Sequence, residues 1–346
     1  MARIALDAMG GDHAPRAPVA GALHALAELD PSHSIQLVGR TSDIEAQLDA
    51  LLAGELAALA AHRSGGRLSV IDAPDTVAMT DKPSAVVRGK KRSSMVVGLE
   101  LQALGQSDAF VSAGNTGAQM VASTVVLKLL PGLERPAIGT LFPTSRPTHP
   151  VLVLDSGANV DCKAEELVQF AHLGAVYAED LLGRPNPVIG LLSVGEEDEK
   201  GSLAVKEANQ LLRASSLNFQ GNVEGRDIPQ GKSERGPIDV VVCDGFVGNV
   251  LLKFYESLAP TILQMVVQQG GADPKQIQRA FGHLDYRSAG GAPLLGVNGV
   301  SIISHGKSDE QAIKNAIKVA VRTVESHMTE HAARRLTESL GGAGAR

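Results

Sequence analysis

The sequence predicts an α/β fold: a three-layer α/β/α sandwich in which a mostly parallel sheet is covered by helices on both faces. The first observation is that short apolar segments alternate with longer segments of helical periodicity, as in βαβ units. The second is that residues 151–154 (VLVL) and 240–243 (VVVC) are uninterrupted apolar runs, which is typical of strands buried on both faces. The sheet is therefore expected to lie inside the protein.

The predicted elements are spread along most of the chain. Strands are predicted at 3–8, 34–39, 67–72, 108–113, 137–142, 151–155, 188–194, 217–221 and 238–244. Helices are predicted at 83–104, 116–130, 163–182, 203–213 and 308–328. Asp161 stands where an N-cap residue would precede the helix at 163–182, and Pro83 marks the start of the helix at 83–104.

One domain and a short tail are predicted. Residues 1–330 contain no long low-complexity linker, so we expect a single domain followed by a flexible tail at 331–346. In the segment 245–269, apolar residues cover most of the helical circumference. Pro260 is predicted to split this segment into two helices, which gives an apolar helical hairpin. Such a hairpin would be buried in the core, in a dimer interface or against a membrane.

Composition and charge exclude several classes of protein. A formal net charge of −6 and the absence of Trp argue against a general nucleic-acid-binding protein. Two cysteines make no disulfide framework and no Cys/His spacing suggests zinc, so we expect neither a metal nor a cofactor. The N-terminus lacks a signal segment and no apolar run reaches roughly 20 residues, so we expect a cytosolic protein with at most peripheral membrane contact.

Four predicted strands end in an acidic or hydroxyl residue and a loop of Gly and Asn: IALDAMGGD, FVSAGNTG, VLVLDSGANVD and VVVCDGFVGN. The carboxyl ends of parallel strands meet at one edge of a sheet, where ligands bind in open α/β folds. Glycines allow close backbone approach, and backbone amides at helix N-termini bind anions. The residues expected to bind phosphate or a similar anion are Gly10, Gly11, Asp12, Ser112, Gly114, Asn115, Thr116 and Gly117.

The charged residues near these loops have different expected roles. An ionised carboxylate has only acceptor oxygens and would repel an anion. Asp7, Asp155 and Asp244 are therefore expected to orient the loops by accepting hydrogen bonds. Lys90 and Lys91 fall in the first half of a predicted helix, where the dipole disfavours positive charge. They form either a solvated surface or a cluster that an anion compensates.

Three better-known motifs do not fit the sequence. Five residues separate Gly225 from Gly231, where a P-loop needs four. Phe110 stands where the nucleophile elbow G-x-S-x-G needs its first glycine, so we interpret Ser112 as a hydrogen-bond donor. The dinucleotide fingerprint G-x-G-x-x-G does not occur, which disfavours a dehydrogenase.

Nine longer segments occur in order from residue 4 to about residue 306: IALDAMGGDHAP, AVVRGKKRSSMVVGL, SAGNTGA, ERPAIGTLFPT, LDSGANVDCK, VGEEDEKG, VVVCDGFVGNVLLK, GGAPLLGVNG and IISHG. Together these segments resemble the PlsX family of phosphate acyltransferases. The resemblance implies transfer of a fatty acyl group from acyl carrier protein to inorganic phosphate, giving an acyl phosphate for phospholipid synthesis. It also implies a fold related to phosphate acetyltransferases and isopropylmalate dehydrogenases, a homodimer and peripheral association with the membrane.

Such a reaction needs little proton transfer. Phosphate is largely dianionic near pH 7, since its second pKa lies around 6, and a thiol with a pKa of about 8.5 leaves without strong acid catalysis. The site is therefore expected to supply positive charge and a donor to the thioester oxyanion. Lys90, Lys91 and Lys200 are the candidates for charge stabilisation, and Asn159 and His305 are candidates for orienting or donating to the oxyanion.

The acyl chain adds a requirement for an apolar surface. Each buried CH₂ contributes roughly 0.8 kcal/mol, so a long chain needs an apolar groove or a nearby bilayer. The candidates for this contact are Leu258, Ile262, Leu263 and Val266. Three alternatives stay open: a phosphate acetyl- or butyryltransferase acting on coenzyme A thioesters, covalent catalysis by Ser112, Cys162 or Cys243, and a non-catalytic scaffold at the membrane.

Overall fold

The computed structural model describes residues 1–270 and 290–341, and the side chain of Leu263 lies outside this description. The chain divides into two compact units, Met1–Leu130 with Ala289–Thr329 and Pro131–Ser288 with Glu330–Arg346. Each unit has its own apolar core, and the single domain expected from the sequence stays a prediction.

The strands and helices are numbered in chain order. The strands are β1 (Arg3–Asp7), β2 (Ser34–Gly39), β3 (Leu68–Asp72), β4 (Ala109–Ser112), β5 (Ala137–Ile138), β6 (Thr140–Phe142), β7 (Val151–Leu154), β8 (Ile189–Leu192), β9 (Phe219–Val223), β10 (Lys232–Ser233), β11 (Gly236–Pro237), β12 (Val240–Val242), β13 (Ala292–Leu295) and β14 (Ser301–Ile303). The helices are α1 (Arg16–Glu28), α2 (Thr41–Ala53), α3 (Ala61–Ser64), α4 (Pro83–Gly89), α5 (Ser94–Ala103), α6 (Thr116–Val126), α7 (Ala164–Leu182), α8 (Leu203–Ala214), α9 (Gly245–Gly270), α10 (Glu310–Glu325) and α11 (Met328–Gly341). A single 3₁₀ turn, Ala57–Leu59, follows α2.

The first unit is built on a sheet whose strands run in the order β3-β2-β1-β4-β14-β13. All these neighbours pair in parallel except β13, which is antiparallel to β14. Leu6, Val111 and Ile302 from the three central strands are fully buried with Leu23 of α1 and Ile317 of α10. The parallel arrangement brings the carboxyl ends of β1, β4 and β14 to one edge of the sheet.

The second unit is built on the sheet β6-β7-β12-β8-β9, in which only β6 is antiparallel to its neighbour. Val153 and Val241 are fully buried in its core with Phe142, which packs edge-on against Tyr255 of α9. Helix α7 packs closely on β12, because a side chain at Gly174 would lie 2.6 Å from Val240. The predicted α/β class with a mostly parallel sheet is confirmed.

The predicted helix at 83–104 is wrong in one respect, because it is divided into α4 and α5. Residue Asp75 forms a parallel bridge with Ser93, which draws the chain out of helical geometry between the two helices. Ser93 then caps α5 by accepting a hydrogen bond from the amide of Val96. The start of α4 at Pro83 is as predicted. Asp161 is not the N-cap of α7, which is Lys163.

The predicted hairpin at 245–269 is wrong, because α9 is one helix that continues through Pro260. Proline removes one helical hydrogen bond and crowds the preceding turn, but long helices tolerate such a site when neighbouring groups compensate. The hydroxyl of Thr261 donates to the carbonyl of Ser257 at 2.7 Å, one turn earlier in the helix. No helix within residues 1–270 and 290–341 is both long enough and apolar enough to cross a bilayer.

The tail expected at 331–346 also differs from the structure. Helix α11 continues to Gly341 and buries Ala332 and Leu336, while Arg335 makes a bidentate ion pair with Glu179 of α7. Two apolar residues four positions apart are therefore enough to hold this amphipathic segment as a helix. Residues 342–346 of the predicted tail lie outside the described part of the chain.

Candidate functional site

In the first unit, Asp7 joins the loops that follow β1 and β4. Its carboxylate accepts hydrogen bonds from the hydroxyl of Ser112 at 2.7 Å and from the amide of Met9 at 3.0 Å. The same hydroxyl of Ser112 accepts a hydrogen bond from the amide of Gly114 at 3.0 Å. A methyl group at Gly10 would lie 2.6 Å from Asp7 Oδ2 and 2.9 Å from Ser112 Oγ, so the loops meet only because this residue is glycine. Burial raises the pKa of Asp7, and the hydrogen bonds it accepts oppose that rise.

A third loop, after β14, packs against the loop after β1. The amide of Asp12 donates to the carbonyl of Gly306 at 2.7 Å, and the amide of Ser304 donates to the carbonyl of Ser112 at 2.8 Å. Gly11 has a φ of +99°, and a side chain there would lie 3.1 Å from the carbonyl of Gly306. The carboxyl ends of β1, β4 and β14 thus carry one continuous cluster of loops.

The N-terminus of α6 opens from this cluster. Asn115 is the N-cap, and its side-chain oxygen accepts a hydrogen bond from the amide of Ala118 at 3.0 Å. The amides of Thr116 and Gly117, at the first two positions of the helix, have no acceptor within the helix. The side chain of Thr116 is exposed. Gly117 packs against Pro83, and a methyl group built at Gly117 would lie 2.9 Å from Pro83 Cγ. First-turn amides and an exposed hydroxyl are the groups that bind an anion at a helix N-terminus.

Several side chains expected to contact phosphate have other partners. Ser112 is fully buried and bonded to Asp7, and the side-chain amide of Asn115 donates to the carbonyls of Met79 and Asp81 at 3.0 and 3.1 Å. These residues shape the cluster, and the donors that remain open to an anion are its backbone amides and the hydroxyl of Thr116. The side chain of Asp12 is exposed.

The candidate cations differ in their surroundings. The ammonium of Lys90 lies 2.6 Å from the carboxylate of Asp81 and 2.8 Å from the carbonyl of Thr76. Lys91 and Lys200 have exposed side chains. The partners of Lys90 already compensate its charge, whereas Lys91 and Lys200 present theirs to solvent.

Hydrogen bonds fix the two loops that contain His305 and Lys200. The ring of His305, in the loop after β14, accepts a hydrogen bond from the amide of Lys307 at 3.1 Å. Lys200 lies in the loop after β8, where its amide donates to the carbonyl of Glu197 at 3.0 Å. Asn222 donates to the same carbonyl at 2.8 Å and fixes this loop to β9.

In the second unit, Asp155 organises the loop that follows β7. Its two oxygens accept hydrogen bonds from the amides of Ile138, Gly157, Ala158 and Asn159 and from the side chain of Asn159, at 2.7 to 3.1 Å. Burial raises the pKa of Asp155, against the effect of these hydrogen bonds. The carboxylate is thus enclosed by donors and faces its own loop.

Asn159 and Asp244 connect this loop to neighbouring segments. The side-chain amide of Asn159 donates to the carbonyl of Pro136 as well as to Asp155, both at 2.8 Å, so both of its hydrogens are in use. Asp244 accepts a hydrogen bond from the amide of Val247 at 2.9 Å and caps α9. Any side chain at Gly248 would overlap the backbone of Asp155. The start of α9 and the loop after β7 therefore form one packed block.

The groups available for covalent catalysis are poorly suited to it. Burial raises the pKa of Cys162 to about 12 and raises the pKa of the fully buried Cys243 well above its usual value. The thiolate is the nucleophilic form of cysteine, so both thiols are inert near neutral pH. Ser112 donates its proton to Asp7 from a buried position, whereas an attacking serine needs both a general base and access to the substrate.

The candidate acyl-binding residues lie on α9. Leu258 is 38% exposed, and Ile262 and Val266 are half-buried. One face of the helix packs on the core through Leu251 and Tyr255. Alongside this packed face, the helix exposes apolar side chains spaced three, four or seven residues apart: Val247, Val250, Phe254, Leu258 and Met265. An exposed apolar row of this length marks a binding surface.

Two parts of the site were not recognised from the sequence. The loop at 304–306 was noted only for its histidine, although its backbone completes the cluster in the first unit. Ser94 was not singled out, yet its side chain is a hydrogen-bond partner of Asp7. The segment SHGKS after an apolar strand has the same form as the other strand-end loops and was the available signal for 304–306.

The chain is similar to known proteins over most of its length. Residues 2–331 match the family described as "Fatty acid synthesis protein". Proteins named phosphate acyltransferase from Desulforamulus reducens and Desulfitobacterium hafniense (strain Y51) are 47% and 45% identical, over 94% and 95% of this chain and 94% and 96% of theirs. Among solved structures, a phosphotransacetylase from Streptococcus pyogenes has a TM-score of 0.60 at 18% identity, covering 94% of each chain.

Replacing Asp155 with asparagine tests the importance of the enclosed carboxylate. The substitution replaces one carboxylate oxygen with an NH₂ group, which cannot accept the hydrogen bonds that are donated to that oxygen. At least two hydrogen bonds to a charged group are therefore lost. Each such bond contributes roughly 1.5–3 kcal/mol, part of which is returned because a buried charge is removed. We expect Asp155→Asn to lower the free energy of unfolding by about 2–4 kcal/mol in urea titrations.

The matched control is Asp244→Asn, because asparagine is an equally good N-cap and Asp244 is only half-buried. We expect it to change the free energy of unfolding by less than about 1 kcal/mol. Equal stability of wild type and Asp155→Asn would contradict the structural role given to Asp155.

Proposed function

We infer the substrates of this chain from the family to which it belongs, the phosphate acyltransferases. The acyl donor is an acyl carrier protein thioester, and the acceptor is inorganic phosphate. The chain is an acyltransferase that moves a fatty acyl group to phosphate for phospholipid synthesis. The single structural observation that supports the proposed acceptor is the cluster of loops at the carboxyl ends of β1, β4 and β14, which opens at the N-terminus of α6.

We propose that phosphate lies at the N-terminus of α6. The amides of Thr116 and Gly117 and the hydroxyl of Thr116 are the donors. The glycines at 10, 11 and 114 let the neighbouring loops pack closely, because protein atoms lie where their side chains would be. Asp7 lies beneath the loops, where Ser112 and backbone amides occupy its oxygens, so it does not face the anion. The charge of Lys91, in the same unit, assists from solvent.

The chemistry consists of attack by a phosphate oxygen on the thioester carbonyl. A tetrahedral oxyanion forms, the C–S bond breaks, and the thiol leaves as thiolate and takes a proton from water. Because the dianion is already the nucleophile, the protein contributes orientation and stabilisation of charge. His305 is positioned in the same cluster of loops and is our candidate for stabilising the oxyanion. Both hydrogens of the Asn159 side-chain amide are already bonded, which leaves none to donate to an oxyanion.

The alternative is a phosphate acetyl- or butyryltransferase that uses coenzyme A thioesters. Similarity to the Streptococcus pyogenes structure concerns the fold alone. An exposed apolar row on α9 favours a long acyl chain over an acetyl group, because a two-carbon group needs no such surface. Phosphate-dependent consumption of a long-chain acyl carrier protein thioester, with little consumption of acetyl coenzyme A, separates the two.

We also propose that the chain is a homodimer that touches the membrane at its periphery. The exposed face of α9 supports both contacts, because an apolar helical row is stabilised either by a second copy or by a bilayer surface. Sedimentation equilibrium over a range of concentrations decides the oligomeric state. A single monomeric mass at all concentrations would contradict the dimer.

The position proposed for phosphate predicts the effect of Thr116→Val. This substitution keeps the shape of the side chain and removes one hydrogen bond to a charged ligand, which contributes roughly 1.5–3 kcal/mol. We expect the KM for phosphate to rise about tenfold or more, with little change in the KM for the acyl donor, measured by initial rates of thioester consumption. Thr124→Val, on the same helix two turns later, is the matched control. Equal phosphate KM values in the two variants would refute the proposed position.

The membrane proposal predicts the effect of charge on α9. Replacing Leu258 and Ile262 with glutamate places charge in the proposed contact, so we expect the protein to stop floating with anionic liposomes. Gln264→Glu adds a charge to the same helix at an already polar, exposed position and should float like wild type. Unchanged thermal unfolding of all variants excludes misfolding as the cause. Flotation of the double variant at the wild-type level would overturn the contact.

A further inference from the structure

A short segment between β3 and α4, residues 76–82, crosses the same edge of the first unit, and we call it the strap. Its start is fixed because the amide of Asp75 donates to the carbonyl of Arg92 and the amide of Ser94 donates to the carbonyl of Asp75, both at 3.2 Å. Its end is fixed at Pro83, which begins α4 and packs against Gly117. The strap therefore spans from the start of α5 to the start of α6.

Two side chains outside the strap hold its backbone. Lys90 donates to the carbonyl of Thr76 at 2.8 Å and to the carboxylate of Asp81 at 2.6 Å. Asn115 donates to the carbonyls of Met79 and Asp81 at 3.0 and 3.1 Å. Lys90 and Asp81 are about one-third exposed, and the ion pair lowers the pKa of Asp81. The carbonyls of the strap are thus fixed at its start, middle and end.

The strap holds Met79 at the cluster of loops. A methyl group built at Gly306 would lie 3.2 Å from Met79 Cε, 3.8 Å from the carboxylate of Asp12 and 3.9 Å from the carbonyl of Ala113. The side chain of Met79 is nevertheless 52% exposed. Single exposed apolar residues are common on protein surfaces. This one differs because two side chains fix its backbone beside the loops proposed to bind phosphate.

An acyl phosphate has the chemistry that fits this arrangement. Its charged phosphoryl group fits the amides at the N-terminus of α6. The carbonyl carbon lies two bonds from phosphorus, and the apolar chain begins at the next carbon. The first carbons of that chain need an apolar contact close to the anion site, and a flexible thioether adapts well to such contacts. Met79 is an exposed apolar side chain of the strap at that edge.

We propose that Met79 contacts the first carbons of the acyl group and that Lys90 is a positioning residue, which acts on the reaction by holding the strap through Asp81 and Thr76. This inference rests on the proposed function. It gives Lys90 a different role from the charge stabilisation expected from its sequence position, because its ammonium already has two partners.

The first experiment measures amide hydrogen exchange in the strap. The amide of Ala78 donates to the carboxylate of Asp81 at 2.7 Å, and the amide of Asp81 donates to the carbonyl of Ala78 at 3.1 Å. Lys90→Met removes both contacts of the ammonium, so we expect exchange of these two strap amides to become at least tenfold faster, together with a higher KM for the acyl donor. Lys314→Met is the matched control, because Lys314 pairs with Glu28 at 2.7 Å in the same unit, between α10 and α1. We expect exchange in the strap of this variant to equal that of wild type.

The outcome that overturns the role of Lys90 is also defined. If exchange in the strap is unchanged in Lys90→Met while kcat falls, Lys90 acts directly on the substrate. A Lys90→Arg variant that restores slow exchange and the wild-type KM supports the positioning role, because arginine can donate to both acceptors. If the wild-type chain shows no phosphate-dependent acyl transfer, the proposed function fails together with the contact made by Met79. The exchange result would still decide whether Lys90 holds the strap.

The second experiment replaces Met79 itself. Met79→Ala removes apolar contact equivalent to one or two CH₂ groups, so we expect the KM for a long-chain acyl donor to rise about fourfold or more, with an unchanged KM for phosphate. Met79→Leu should retain the wild-type KM, whereas Met79→Gln, of similar length but polar, should behave like the alanine variant. Identical acyl-donor kinetics in all three variants would overturn the contact.

Discussion

The arrangement of the strand-end loops depends on two carboxylates that are buried among hydrogen-bond donors. Asp7 is the last residue of β1 in the first unit, and Asp155 directly follows β7 in the second. Each accepts hydrogen bonds from the loop that comes next, and Asp7 also accepts one from Ser112. Removing a charge from water is costly, and this cost raises the pKa of both carboxyl groups. The hydrogen bonds offset the cost only in one loop conformation, so each carboxylate selects that conformation.

This constraint also explains where glycine is required. A loop that wraps around a carboxylate brings backbone segments closer together than side chains allow. At Gly10 a side chain would collide with the carboxylate of Asp7, and at Gly248 it would collide with the backbone of Asp155. The glycines at these two positions therefore permit one segment of backbone to pack on another, where any side chain would collide with protein atoms.

The fold class and the strand-end loops were predictable, because they depend on patterns within a few residues. Apolar runs such as 151–154 identified central strands, and acceptor-only chemistry identified Asp7 and Asp155 as residues that face their own loops. The division of helix 83–104 was not predictable, since it depends on the bridge from Ser93 to Asp75, a contact between residues distant in sequence. The continuity of α9 through Pro260 was missed because local propensity overstates the effect of one proline in a long helix.

Residue type alone also misled the assignment of roles within the site. Ser112, Asn115 and Lys90 have the side chains expected of phosphate ligands, yet each has protein partners that fix a loop or the strap. The hydrogen-bond donors that remain open to an anion are mainly backbone amides. Such donors suit a reaction in which the anion itself is the nucleophile. An ammonium paired tightly with phosphate would stabilise the dianion before attack and weaken it as a nucleophile, whereas neutral amides orient it at lower cost. The polar side chains of this site therefore contribute most by fixing the backbone that we propose to bind phosphate.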